Sequence, residues 1–188
     1  MSLLYCISKG MIDNRKNKEN KMKALSVMIV FCMLATGLAW GEELKMDGWG
    51  NFKWGMSEDD VKRAEKKVEA GDGKQVQNYY FPLILKGVKI ADVDFVANFR
   101  FDNSSKTLNA VSLIPPRDKG NIILFDEVFD LLLTKYGKPV KDETDKSIST
   151  RNAFWTVDKT KISLSHAGGE GINLFALVYE VREKKDNL

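Results

Sequence analysis

The sequence predicts an α+β domain in which two helix-plus-three-strand units form one antiparallel sheet with the helices packed on one face. Two observations support this fold class. Apolar residues recur at helical spacing in two segments, which begin near Ser57 and Asn121. Each segment is followed by three short runs with the composition or alternation of strands. One helix and three strands cannot easily bury their own apolar face, so we expect the two units to merge.

The first predicted helix starts after Ser57, which has the chemistry of an N-cap. Ser57 and Asp60 are close to capping-box spacing, and acidic residues fill the first turn. Val61 and Val68 lie on one apolar face of this helix. Gly71 is predicted to end it.

Three strands are predicted after this helix, and the middle one has the clearest pattern. Apolar residues at odd positions from 93 to 101 alternate with mostly polar residues, as in a strand with one buried face. Lys86–Gly87 predicts a turn before this strand, and residues 103–106 predict a hairpin after it. The three predicted strands are 79–85, 93–102 and 108–114.

The second helix is predicted from about Asn121 to Tyr136, because Phe125 and other apolar residues at helical spacing share one face. Gly137 at the C-cap position and Pro139 two residues later mark its end. A charged linker is predicted next. This linker covers residues 141–146, and the three strands after it are predicted at 152–157, 161–166 and 172–182.

Residues 1–41 are predicted to be an N-terminal extension and signal peptide. Basic residues precede an apolar run, 24–40, which ends with small residues at the −3 and −1 positions of a cleavage site. Met22 stands just before this run and is an alternative true start. We therefore predict a periplasmic or secreted protein with a single domain over residues 42–188. An uncleaved membrane anchor is the alternative, because the run approaches the length of a membrane span.

Charge and cysteine content exclude several classes of function for residues 42–188. The whole chain has a net charge of +3, but the leader holds six basic against two acidic residues, so residues 42–188 carry −1. This mixed surface gives no electrostatic footprint for nucleic acid. Both cysteines, Cys6 and Cys32, lie in the leader, which excludes disulfides and thiolate sites from the mature chain. No second apolar run is long enough to span a membrane.

The fifth predicted strand and the loop after it hold two candidate motifs. His166, the only histidine, shares a strand face with Ile162 and Leu164 and is interpreted as a packed or rim histidine. Ser165 points to the opposite face, so it cannot pair with His166. Residues 168–171 are glycine-rich but open no helix, so they predict a hairpin loop rather than a phosphate cradle.

Acidic residues are the remaining candidates for chemistry. Asp126 and Asp130 lie one turn apart on the second helix, with Glu127 between them. Such a pair can hold Ca²⁺ or act as general acid and base, but a solvated helix face is the preferred interpretation. Asp92 and Asp94, on the polar face of a strand, have the same alternatives. The sequence therefore predicts no catalytic, cofactor-binding or metal-binding residue.

Aromatic residues are concentrated in the first strand of each unit. Tyr79, Tyr80, Phe154 and Trp155 place bulky groups on both faces of these strands. Aromatic side chains on the outer face of a sheet can form a recognition surface. Alternatively, they form a second layer that is covered by the lead-in segment, residues 42–53, and by Trp54 just after it. The covering aromatic residues would be Trp49, Phe52 and Trp54.

Two short motifs carry a resemblance to known proteins: Trp54-Gly55-Met56-Ser57-x-x-x-Val61 and Leu132-x-x-Lys135-Tyr136-Gly137-x-Pro139. They resemble segments of small uncharacterised exported bacterial domains. A helix start that feeds a β meander, and then repeats, is also similar to the fold shared by the outer-membrane assembly lipoprotein BamE and the beta-lactamase-inhibitor protein. The resemblance implies a non-enzymatic domain that binds another protein. It carries over no functional residue, and the lipidated cysteine of BamE is missing here.

We therefore predict an exported, non-enzymatic protein-binding or scaffold domain of the bacterial cell envelope, without a cofactor. Its expected partner is another envelope protein. Two alternatives are open at this point: a carboxylate- or metal-dependent hydrolase, and a carrier of a small apolar ligand between sheet and helices.

Export gives the first testable prediction. N-terminal sequencing of the exported protein should begin near Glu42, because signal peptidase cleaves after small residues at the −3 and −1 positions. Intact protein that retains residues 24–40 in a membrane fraction would contradict cleavage.

Overall fold

The structure is a computed structural model that describes residues 44–145, 149–169 and 172–182. The predicted extension and signal peptide, residues 1–41, lie outside these ranges. Neither described helix has the length and apolarity needed to cross a membrane. The helices are α1 (Glu58–Ala64) and α2 (Ile122–Tyr136). The strands are β1 (Gly48–Trp49), β2 (Phe52–Lys53), β3 (Glu69–Val76), β4 (Tyr79–Ile90), β5 (Val93–Asp102), β6 (Leu108–Ile114), β7 (Lys141–Asp145), β8 (Thr150–Val157), β9 (Thr160–Gly169) and β10 (Ile172–Val181).

The eight longer strands form one antiparallel sheet in the order β3-β4-β5-β6-β10-β9-β8-β7. Strands β3 to β6 form one four-stranded meander, and β7 to β10 form a second. The two meanders meet at a seam where β6 pairs with β10 and Ser112 lies opposite Val178. Helix α1 precedes the first meander and α2 precedes the second.

The predicted fold class, an α+β domain of two helix-plus-three-strand units, is wrong because the described residues are mostly sheet and each half has a fourth strand. The additional strands, β3 and β7, form the two edges of the sheet. Gly71 lies inside β3 instead of ending a helix, and the predicted charged linker 141–146 contains β7. Both strands are almost wholly exposed. An edge strand held by backbone hydrogen bonds to one neighbour needs no apolar pattern, so the periodicity gave no signal.

The turn predicted at Lys86–Gly87 is also wrong. These residues lie inside β4, where the register with β5 shifts. Gly87 has a φ of +72°, which glycine adopts without strain, and this conformation suits a bulge. The chain reverses at Ala91 and Asp92 instead, and both have the positive φ that a two-residue hairpin turn requires.

Both helix starts and the end of α2 are confirmed. The Ser57 hydroxyl accepts a hydrogen bond from the backbone N–H of Asp60, and the Asp60 carboxylate accepts one from the backbone N–H of Ser57. Asn121 caps α2 by accepting from the backbone N–H of Leu124 at 3.0 Å. Gly137, with a positive φ, is the C-cap of α2. Local side-chain chemistry therefore sets these ends.

One face of the sheet, here called the core face, carries the hydrophobic core. Phe95, Ala97, Phe99 and Phe101 are fully buried on β5, as the alternation predicts. Inward-facing residues of the neighbouring strands join them, and helix α2 packs over β8 and β9 through residues such as Val128. The core therefore lies between the sheet and the helices.

The lead-in segment packs on the core face and contacts both meanders. Its strands β1 and β2 form a hairpin, and the Phe52 ring lies 4.7 Å from that of Phe99 on β5. The backbone carbonyl of Met46 accepts a 2.8 Å hydrogen bond from the hydroxyl of Thr160 on β9. Just after the segment, the Met56 carbonyl accepts one from the N–H of Leu108 on β6. The lead-in segment and the residues just after it therefore contact the same end of both meanders, where β6 and β9 begin.

The alternation on β5 predicts contrasting effects for two adjacent substitutions. Phe99→Ala should lower the free energy of unfolding by about 3–5 kcal/mol, because Phe99 is fully buried. Asn98→Ala should change it by about 0.5 kcal/mol or less, because Asn98 faces the other side of the sheet with only long hydrogen bonds of 3.4 Å. Denaturant melts measure both, and similar midpoints would contradict the register.

Candidate binding face

The side of the sheet opposite the core face, here called the open face, is the candidate functional surface. Directly paired residues of an antiparallel sheet point to the same side, so the register identifies its members. The helices and the β1–β2 hairpin pack on the core face, so within the described ranges no element covers the open face. Its central residues are Val96, Asn98, Ser112, Ile114, Asn152, Phe154, Ser163, Ser165, Ala176 and Val178.

The centre of the open face is uncharged, and half of its side chains are apolar while the other half are serine or asparagine. Val178 has Ser112 on one side and Ser163 on the other, and Phe154 follows beyond Ser163. Ile114 is 39% exposed. The wet face of a two-layer antiparallel domain is usually polar, so short side chains around apolar ones indicate a contact surface.

Charged side chains lie across the seam at one end of the open face. Arg100 on β5 donates from Nη2 to Glu180 Oε2 on β10 at 3.2 Å, and Lys161 Nζ on β9 lies 3.4 Å from Glu180 Oε1. Arg100 Nε also donates to Asn109 Oδ1 at 2.9 Å. The guanidinium carbon lies 4.4 Å from the centre of the Tyr79 ring. These contacts connect five strands, β4, β5, β6, β9 and β10, across the two meanders.

The same side chains line a depression of about 220 Å³, here called the cationic depression. Its size suits one small anionic group rather than a whole organic ligand, since ligand pockets usually measure roughly 300–1,000 Å³. The lining residues are Tyr79, Arg100, Asn109, Lys161, Glu180, Val181 and Arg182.

Of the four aromatic residues in the first predicted strand of each unit, two pack with the core and two lie on the open face. Tyr80 and Trp155 pack with the core. The Tyr80 hydroxyl donates to Glu58 Oε1 at 3.0 Å, and burial together with this hydrogen bond raises the pKa of Tyr80 to about 12. Tyr79 and Phe154 lie on the open face, and the lead-in segment packs on the other side of the sheet.

His166 is buried on the core face at 7% exposure, directly between Arg151 on β8 and Phe175 on β10. Neither of its ring nitrogens has a hydrogen-bond partner among the described residues. Burial lowers the pKa of His166 below its usual range, while the Asp126 carboxylate acts in the opposite direction. Ser165 lies on the open face, so the two residues do not form a pair, as the strand alternation predicts.

The acidic residues of α2 do not converge on one point. Asp126 forms an ion pair with Arg151, whose guanidinium carbon lies 4.7 Å from the Phe125 ring centre. Asp130 and Glu127 are exposed. Asp126 therefore docks the helix on the sheet through Arg151.

The other sequence candidates lie in turns or at the ends of strands. Asp92 is in the β4–β5 turn and not on a strand face as predicted, whereas Asp94 pairs with Lys89 at 3.1 Å. Gly168 and Gly169 end β9, and the rest of their predicted loop lies outside the described residues. Within the described ranges, histidine, cysteine and acidic residues form no group of three that suits a metal ion.

A second concavity of about 430 Å³ lies where β6 ends and β10 begins. It is a groove rather than an enclosed cavity, because its members Ile114 and Leu174 are 39% and 64% exposed. The groove also includes Arg117 and Asn173 at its polar side. The lining residues of the groove lie on β6, on β10 and in the loop before α2, so the groove is at the end of the seam and not between the sheet and the helices, where the carrier alternative places its ligand.

Comparison of the chain with protein-family models, with curated proteins and with solved structures gave no significant match. The resemblance to BamE and to the beta-lactamase-inhibitor protein therefore stays a prediction.

Sequence reasoning missed the cationic depression. Arg100 is far along the chain from Lys161 and Glu180, and all three occupy ordinary outward positions of predicted strands. The only available signal was that each lies on a polar face. Lys161 and Glu180 are paired in the β9–β10 hairpin, but Arg100 approaches them only through the β6–β10 pairing, which no local pattern encodes.

The burial of His166 predicts that stability falls as pH decreases. The pKa of the folded state is below the unfolded value of about 6.5, so the unfolded state binds more protons as the pH falls through that value. The free energy of unfolding should therefore decrease from pH 7 to pH 5, and His166→Leu should flatten this decrease. Denaturant melts across that range measure both proteins. Parallel pH profiles would show that His166 is not responsible.

Proposed function

We propose that this protein is an exported, non-enzymatic domain of the bacterial cell envelope that binds another envelope protein through the open face. The observation that carries the proposal is the uncovered and uncharged centre of this face, where apolar side chains lie among serine and asparagine. The apolar members are Val96, Ile114, Phe154, Ala176 and Val178. Covering these side chains with a second surface removes apolar area from water, which favours binding, and the absence of charge keeps the cost of desolvation low.

The shape of the sheet supports a protein partner. The open face extends across both meanders and includes residues from at least five strands, β5, β6, β10, β9 and β8. Apolar residues at its centre and charged ones at the seam's end follow the usual division of an interface into core and rim. A small ligand would need a deeper pocket, because pockets bury most of a ligand's surface.

Export supports the envelope as the place of action. A signal peptide ahead of the domain, as the sequence predicts, would deliver the mature chain to the periplasm or beyond. A cysteine-free domain suits that oxidising compartment, and residues 42–188 contain no cysteine.

A carrier of a small apolar ligand is the second candidate, and the 430 Å³ groove beside Ile114 and Leu174 favours it. The open face is the stronger candidate, because the groove exposes much of its apolar lining to water.

Site-specific photo-crosslinking in cells tests the proposed function. A photoreactive phenylalanine analogue at Ser163, in the centre of the open face, should give a discrete adduct with an envelope protein, because the partner lies over this position. The matched control has the analogue at Thr134, an exposed position of α2 on the other side of the sheet. Adducts are measured by immunoblotting of envelope fractions. Equal adducts at both positions, or none at Ser163, would contradict binding through the open face.

A further inference from the structure

The cationic depression presents a guanidinium group whose position is fixed by three neighbours. Asn109 accepts from Arg100 Nε, Glu180 accepts from Nη2, and the Tyr79 ring lies against the guanidinium plane. The Arg100 side chain is 21% exposed. A group held in this way loses little conformational entropy when it binds a further anion, so the depression is organised before any partner arrives.

Two cations in the depression share one carboxylate. Arg100 occupies Oε2 of Glu180 and Lys161 lies against Oε1, so this trio carries an excess of one positive charge. Glu180 is 26% exposed, and partial burial strengthens the interaction between charges relative to open water. The depression therefore favours an additional anionic group.

The depression is continuous with the proposed contact surface. Glu180 is the next outward residue after Val178 on β10, and Lys161 is the next before Ser163 on β9. Outward neighbours on one strand are about 7 Å apart, so a partner that covers Val178 and Ser163 reaches the depression.

From this geometry we infer that the partner places an aspartate or glutamate side chain in the cationic depression, against Arg100 and Lys161. The inference rests on the proposed function and adds the chemistry of the partner. Charge complementarity selects the acidic group, and a carboxylate matches the planar donor edge of a guanidinium. A protein side chain is favoured over a free anion, because the uncovered open face, with Val178 at its centre, continues from the depression.

A titration of the purified protein with the peptide acetyl-Glu-Glu-Glu-Glu-amide tests the site without the partner. In two-dimensional NMR spectra, the peptide should shift the resonances of Arg100, Lys161 and Glu180, and acetyl-Gln-Gln-Gln-Gln-amide should not. Lys161→Met should weaken the binding at least fivefold. The matched control Lys89→Met removes a lysine that pairs with Asp94 at the far end of β4, and it should leave the binding unchanged.

Two results of this titration would overturn the inference. One is that the acidic peptide leaves these resonances unshifted, or that Lys161→Met binds it as the wild type does. The other is that inorganic phosphate shifts the same resonances at equal concentration, which would indicate a general anion site.

Crosslinking at Ser163 separates this inference from the proposed function. The adduct should decrease at least fivefold in Lys161→Met and persist in Lys89→Met. An adduct that persists in Lys161→Met would overturn the acidic contact and leave binding through the open face intact. Absence of the adduct in the unsubstituted protein would overturn the proposed function itself.

Discussion

The pairing of β6 with β10 is the constraint on which the rest of the structure depends. Four residue pairs, from Leu177 with Leu113 to Glu180 with Ala110, join the two meanders into one sheet. The pairing places Val111 beside Tyr179 on the core face and Ser112 beside Val178 on the open face. A slip of one residue would exchange these two faces along the whole seam, so burial of the core fixes the register.

Two further sets of contacts stabilise the seam, one on each side of the sheet. On the core face, the lead-in segment contacts β5 and hydrogen-bonds to Thr160 of β9. On the open face, Arg100 and Lys161 meet at Glu180. The charged contacts at Glu180 therefore have a structural role as well as the proposed recognition role. Ala110, which pairs with both Arg100 and Glu180, is fully buried beneath them, so the charged layer also shields the seam.

The sequence predicted those helices and strands whose position is determined by residues within the element itself. The cap at Ser57, the start of the second helix near Asn121 and the alternation from Val93 to Asp102 are local, and the structure confirms them. The edge strands β3 and β7 were missed because backbone pairing, rather than burial, holds them in the sheet. The candidate site was missed for a related reason. Arg100 and Glu180 are 80 positions apart, and only the sheet order brings them together.

The edge strand β7 has a consequence for how copies of the protein meet one another. Its residues Lys141, Asp142, Glu143 and Asp145 give the strand a net charge of −2, and all are exposed. Two such edges would repel each other on approach, and a centred antiparallel alignment would set Glu143 against Glu143. Charged edges of this kind discourage open-ended sheet growth. The charge of β7 therefore keeps this edge of the sheet from pairing with the same edge of a second copy.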